Sequence, residues 1–309
     1  MTDQKNILVL VDGSERSMQT VQYVGKFLPP GDMQIVLFHV FCGVPECYWD
    51  IGREPQHKSA MGQLKAWEVE QKKKIGAYME QARHLLLEKG FPEASVEIKI
   101  QKRQIGVARD ILTEAAEGYR AVVLRRQGTS ELEGIVVGSV ANKLISKMTF
   151  LPIIIAGQHA PVKKILMAVD GSHPSIRAVE FAADYLDGAG YEVCLFHVIR
   201  GFGTVFSGGP GFIMPVDSVE VAKSEMTIIF YDLKEKLVSA GFEPQKISEK
   251  IITTGVYSRA GAIVREAEEG GYGAIVMGRR GLSRVEEFFM GRVSNKVIHG
   301  GKNHTVWVI

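Results

Sequence analysis

Short apolar runs recur along the chain, each followed by a longer amphipathic or charged stretch. ILVLV (7–11) is a continuous apolar run, the pattern of a strand buried on both faces of a parallel sheet. Asp12-Gly13-Ser14 makes a turn, with Ser14 or Ser17 capping a helix that runs to about Leu28. QIVLFHV (34–40) is a second strand, and a loop follows over 41–62. The spacing predicts a long charged helix over 63–89, closed by Gly90. VEIKIQ (96–101) alternates and reads as a strand with one wetter face. A helix over 107–118, a strand over 121–125, a helix over 138–148 and a strand over 152–156 complete the set.

The same order then returns, over 165–169, 173–187, 192–198, 219–240, 247–254, 259–269, 274–278, 291–299 and 305–309. The repetition is also one of residues. Segment 6–40 aligns without a gap on 164–198, with 13 of 35 positions identical. Segment 120–145 aligns on 273–298 with 11 of 26 identical. A period this long marks a duplicated domain, since solenoid repeats run about 20–50 residues. The expected domains are 1–157 and 163–309, joined by the short segment between them. Alternating strands and helices imply, in each copy, a five-stranded parallel sheet with helices on both faces. PIIIA (152–156) and TVWVI (305–309) close the two copies and are both apolar. As sheet edges they would be an aggregation hazard unless they pair with each other, as the halves of an internal pseudo-dimer would.

Composition narrows the function. At 309 residues with 46% apolar positions, two cored domains need no disulfide or metal staple. Lys and Arg number 37 against 35 Asp and Glu, without the basic bias of a dedicated nucleic-acid binder. No apolar run approaches the roughly 20 residues of a membrane span, and MTDQKN lacks the form of a signal peptide. Three cysteines make no disulfide framework, so the expectation is a cytoplasmic protein with reduced thiols.

Ligands of open α/β sheets bind beyond the carboxyl ends of the strands. Three features of each copy fall there: the Asp-Gly-Ser turn, the His-Val end of the second strand, and a glycine-bearing loop after the fourth. In the second copy that loop carries Gly278, Gly281 and Gly291, spaced G-x2-G-x9-G, the last opening a helix. Glycines would let a phosphate approach bare backbone, and a helix start offers N–H donors and positive dipole. Ser294 adds a hydroxyl, and Arg279, Arg280 and Arg284 add cations. Alone, such glycines also fit a tight turn followed by a helix cap.

Taken in order, the V-D-G-S turn, the β-α-β opening and the G-x2-G-x9-G loop before the penultimate helix resemble the universal stress protein family, twice over nearly the whole chain. The resemblance implies Rossmann-like domains and, in many members, ATP binding. Carried onto this chain, it places Ala168, Val169 and Asp170 after the first strand of the second copy, and Val198 at the adenine. Met277, Gly278 and Gly281 would line the ribose and phosphate path, and Gly291, Val293 and Ser294 would hold phosphates. The family usually has Ser or Thr where this chain has Arg292, which would either add a phosphate contact, the reading preferred here, or crowd the site. The first copy is the degenerate one. Arg125 stands at the place of Gly278 and Ala141 at that of Ser294, while Asp12, Val40, Gly128, Gly138 and Ser139 remain. The expected ligand is ATP, with or without magnesium, held by the second copy only. Gly278→Arg is then expected to abolish binding with the fold intact. A homodimer and an unidentified protein partner complete the expected associations.

Other residues carry weaker signals. Asp12 and Asp170 suit either a ligand contact or a turn held by side-chain-to-backbone bonds. His39 and His197, inside strands, read as hydrogen-bonded core residues. His39, Cys42 and Cys47, with His57 nearby, could supply three zinc ligands, but the spacing is not that of a standard zinc finger and the second copy has no such set. Neither a Walker A loop, a kinase motif set nor a nucleophile elbow occurs. The sequence thus supports binding better than turnover, with slow ATP hydrolysis at most. The competing class is an interaction protein that uses no nucleotide.

Overall fold

The computed structural model describes residues 5–44, 58–127, 137–188, 190–200, 216–254, 258–281 and 290–309. The chain divides into two compact units. Unit 1 runs to Lys26 and resumes over Pro30–Leu151; unit 2 takes Phe27–Pro29 and Pro152–Ile309.

Unit 1 contains β1 (Lys5–Leu10), α1 (Glu15–Phe27), β2 (Met33–Phe41), α2 (Lys58–Glu88), β3 (Val96–Lys102), α3 (Val107–Ala115), β4 (Ala121–Arg125) and α4 (Ser139–Lys147). Its strands lie in the order β3-β2-β1-β4, with parallel registers such as Ile7 opposite Ile35 and Ala121. Ile7, Leu8 and Val9 are fully buried, as a continuous apolar run in a parallel sheet should be. Ser14 caps α1 by accepting the Ser17 N–H, and Glu15 in its first turn and Lys26 in its last match the helix dipole. The long helix begins at Lys58, five residues earlier than the pattern predicts.

Unit 2 contains β5 (Ile153–Ala156), β6 (Lys164–Ala168), α5 (His173–Leu186), β7 (Glu192–Arg200), α6 (Val216–Ser239), β8 (Ile247–Thr254), α7 (Arg259–Glu269), β9 (Ala274–Met277), α8 (Arg292–Gly300) and β10 (Thr305–Val308). The order is β5-β10-β9-β6-β7-β8. From β10 to β8 the pairs are parallel, giving the five-stranded sheet expected of a Rossmann-like sandwich with helices on both faces.

β5 is the exception. It ends the first repeat in sequence, yet it pairs antiparallel with β10, Ile155 opposite Val306 and Ile153 opposite Val308. The join at 157–163 therefore marks the sequence repeat, while the compact units part just before β5. Both strands are buried throughout, so each covers the other's apolar edge, as their composition required. Trp307 of β10 lies edge-on to Phe181 and Tyr185 of α5. Among the described residues no helix is long and apolar enough to cross a membrane.

Candidate ligand clefts

In each repeat the first strand, β1 or β6, lies between the second and the fourth, so the chain winds outward in both directions from it. That switch of direction leaves a crevice beyond the strands' carboxyl ends. In unit 2 the crevice is a cleft of about 160 Å³. Ala168, Val169, Asp170, Val198, Met277, Gly278, Gly281, Gly291, Arg292, Val293 and Ser294 all line it. The fold thus gathers every residue that the resemblance named in this copy. Phe196, His197, Arg259, Ile263 and Arg280 line it too. Arg259 opens α7 just after β8, a position that strand-and-helix order could have flagged.

The glycines have a different physical reason from the expected one. A Cβ on Gly278 would sit 2.7 Å from the carbonyl carbon of Pro174 and 2.8 Å from the Ser175 nitrogen. The bare backbone there lets the end of β9 touch the start of α5. Its φ lies outside the left-handed region, so close approach alone demands glycine. A Cβ on Gly281 would meet an Asp170 carboxylate oxygen, and one on Gly291 the Arg279 carbonyl oxygen at 3.1 Å. Gly278 and Gly291 thus let backbone meet backbone, while the contact at Gly281 is with the tip of a side chain. The expectation that Gly278→Arg leaves the fold intact is therefore corrected: the clash is with the backbone of α5.

Ser294 also turns inward. It is buried, and its hydroxyl donates to the carbonyl oxygens of Gly278 (2.9 Å) and Arg279 (3.0 Å). Its proton ties α8 to the loop after β9 and is not available to a phosphate. The Gly291 N–H donates to the Arg279 carbonyl (2.9 Å), a second tie in the same place. Arg279 is buried, and desolvation together with the Arg280 charge beside it lowers its pKa to about 10. Arg280 and Arg292 are exposed cations in the cleft wall. Arg284 falls outside the described residues.

Among the described residues, no N-cap side chain closes the start of α8. Gly291 is its N-cap and offers no side chain, whereas Ser172 and Ser258 cap α5 and α7 by accepting the Ser175 and Gly261 N–H groups. An uncapped helix start carries unsatisfied N–H donors and positive dipole. This one forms part of the wall of a cleft that also holds Arg280 and Arg292.

The aspartates take the turn role in both copies. Asp170 Oδ1 accepts the Ser172 N–H (3.0 Å) and hydroxyl (2.5 Å), and Asp12 Oδ1 accepts from Ser14 in the same way. The histidines are bonded as core residues. His39 Nδ1 donates to the Val11 carbonyl and His197 Nδ1 to that of Val169, each at 2.7 Å. Burial lowers both pKa values from 6.5, against the raising effect of those bonds, so both rings are neutral at pH 7.

Unit 1 has a cavity of about 730 Å³ at the equivalent place. Asp12, Val40, Gly138 and Ser139 line it, while Gly128 falls outside the described residues. Arg125 lines this cavity without filling it. The reading of the first copy as blocked by a bulky side chain therefore does not match its geometry. α4 starts, like α8, at an uncapped glycine, Gly138. Cys42 also lines the cavity; Cys47 and His57 fall outside the described residues, and among those described no cluster of potential metal ligands forms.

Fold and clefts together define a duplicated, doubly wound α/β protein with a crevice beyond the strand ends in each copy. The chain belongs to the universal stress protein family, whose model matches it twice, over residues 4–155 and 161–309. It is 32% identical over 140 residues to the universal stress protein YxiE of Bacillus subtilis (strain 168), covering 43% of this chain and 90% of that one. Among solved structures it is similar to a universal stress protein from Archaeoglobus fulgidus DSM 4304, at TM-score 0.63 and 20% identity over 99% of this chain and 98% of the other. It is also similar to one from Pseudomonas aeruginosa UCBPP-PA14, at TM-score 0.56 and 16% identity, over 100% and 95%. At these identities the two structures speak for the fold.

Proposed function

We propose that this chain is a cytoplasmic, nucleotide-dependent regulatory protein of the stress response, and that unit 2 binds an adenine nucleotide, ATP, with or without Mg²⁺. The observation that carries the reading is the uncapped start of α8 beside Arg280 and Arg292, at the carboxyl ends of β6, β7 and β9. Helix N-terminal donors and two cations fit phosphate oxygens. Val198 and Ala168 supply apolar wall for a base, and Asp170, bonded to Ser172, lines the same cleft. The glycines contribute by letting β9, α5 and α8 converge on one point.

The described walls enclose about 160 Å³, less than the 300–1,000 Å³ typical of a whole small-molecule site. A bound nucleotide has to part these walls or extend past them. Coupling of occupancy to wall shape is what a regulator requires. The same narrowness favours the second reading, an interaction protein that works without nucleotide. Calorimetric titration with ATP separates the two. The proposal expects about one site per chain, weakened about tenfold or more by Arg292→Glu and unchanged by Ser139→Glu in unit 1. Absence of heat, or Arg292→Glu binding as wild type, would favour the second reading.

A further inference from the structure

β3 is an edge strand: among the described residues it pairs with β2 alone. The Arg103 N–H donates to the Phe41 carbonyl of β2 (2.9 Å), and the direction of backbone bonding alternates along a strand. Glu97, Lys99 and Gln101 therefore turn their backbone groups to β2, while Val96, Ile98 and Ile100 turn theirs outward. The Val96 N–H is already given to the Glu93 carbonyl. The outward row thus offers the Val96 C=O and both groups of Ile98 and of Ile100.

The side chains of β3 divide as cleanly. Val96, Ile98 and Ile100 share one face, and Glu97, Lys99 and Gln101 the other. Val96 is buried, whereas Ile100 is 40% exposed. Edge strands are usually guarded against pairing by proline, bulges or lysines. β3 has no proline, and its Lys99 is matched by Glu97.

That match is specific to one register. Two antiparallel copies of β3, with a two-fold axis at Ile98, set Ile98 opposite Ile98, Val96 opposite Ile100 and Glu97 opposite Lys99. An axis at Glu97 or Lys99 sets that charge against itself, and one at Ile100 sets Ile98 against Lys102. Lys99 Nζ already meets Glu114 (2.7 Å), yet its side chain is 42% exposed and can take a second carboxylate. β8, the edge of unit 2, has no such register. An axis at Glu249 or Lys250 sets like charges together, and one at Ile251 sets Lys250 against Ile252. Placing the axis between residues would set an outward-facing residue opposite an inward-facing one.

We propose that β3 is a homodimer interface, occupied by β3 of a second copy of this chain, antiparallel about Ile98. The ladder is short, so the dimer is weak and reversible. The interface does not depend on nucleotide binding in unit 2.

Sedimentation velocity on the full chain, across the micromolar range, should show a monomer–dimer equilibrium without ATP. Hydrogen exchange should slow with concentration at Ile98 and Ile100, whose N–H groups face outward. Glu97→Lys puts lysine opposite the partner's Lys99 twice and should weaken the dimer about tenfold or more, with added salt restoring part of the loss. Ile100→Pro removes an outward donor and spares the β2 ladder, so it should abolish the dimer at unchanged melting. Should Ile100→Pro fail to fold, Glu97→Lys decides. Glu249→Lys on β8 should leave dimerisation unchanged. A monomer at every concentration, wild-type association in Glu97→Lys, or loss of the dimer in Glu249→Lys would overturn the proposal.

Discussion

His39 and His197 show at the scale of one residue how a functional-looking side chain can be structural. Each imidazole bonds the carbonyl just past the neighbouring first strand, and burial holds its pKa below 6.5. The unfolded chain therefore binds more protons than the folded one in the window below pH 6.5. The stability these two contribute is full above about pH 6.5 and lost progressively as pH falls. Urea midpoints measured from pH 7.5 to 5 should decline, and His39→Gln with His197→Gln should flatten that slope; an equal slope in both proteins would exclude the histidines as its cause. Gly278 is the second case. Gly278→Ala places a methyl 2.7 Å from the Pro174 backbone, an overpacking that costs about 1–3 kcal/mol. A lowered urea midpoint at unchanged slope is the expected reading. An unaltered midpoint would mean that α5 can retreat freely.

Between elements, the decisive bond is the one from Ser294. Its hydroxyl joins the start of α8 to the loop after β9 through the Gly278 and Arg279 carbonyls. Ser294→Ala removes a buried donor and leaves those acceptors short, a loss of about 1–3 kcal/mol. Weaker ATP binding should follow, because the helix start loses its fixed position. Thermal melting and titration on one preparation check both effects. Ala141 in unit 1 is the same substitution made by the sequence itself, beside the wider cavity. The element pattern was legible in the chain because buried parallel strands read as apolar runs, and the strands at 121–125 and 247–254 appear with the bounds the pattern predicts. The early start of α2 was not, since no sharp hydrophobic period marks the first turns of that helix.

At the scale of the whole chain, β5 and β10 protect each other's edges through an antiparallel ladder. Deleting 305–309 should strip β10 from Ile153, Ile154 and Ile155, expose that apolar edge and produce aggregation in light scattering. A truncated protein that remains monomeric with unchanged melting would contradict this. The pairing was foreseeable from two apolar terminal strands. Its consequence for where the compact units part was not, because the sequence repeat runs through β5 while that strand also pairs with β10 of the second repeat.

The sequence alone determined the duplication, the order of strands and helices, and which residues meet in the unit 2 cleft. Those depend on local periodicity and on a topology with few alternatives. Only the tertiary structure decided what the gathered residues do. Whether a glycine serves a ligand or a neighbouring helix depends on where its missing Cβ would point, and for Gly278 that is the backbone of Pro174. Whether a serine hydroxyl faces a phosphate or a carbonyl depends on distances of about 3 Å across residues far apart in the chain. The size of a cavity depends on which helix face covers it, and α2 lines the cavity of unit 1 with residues that the motif never included.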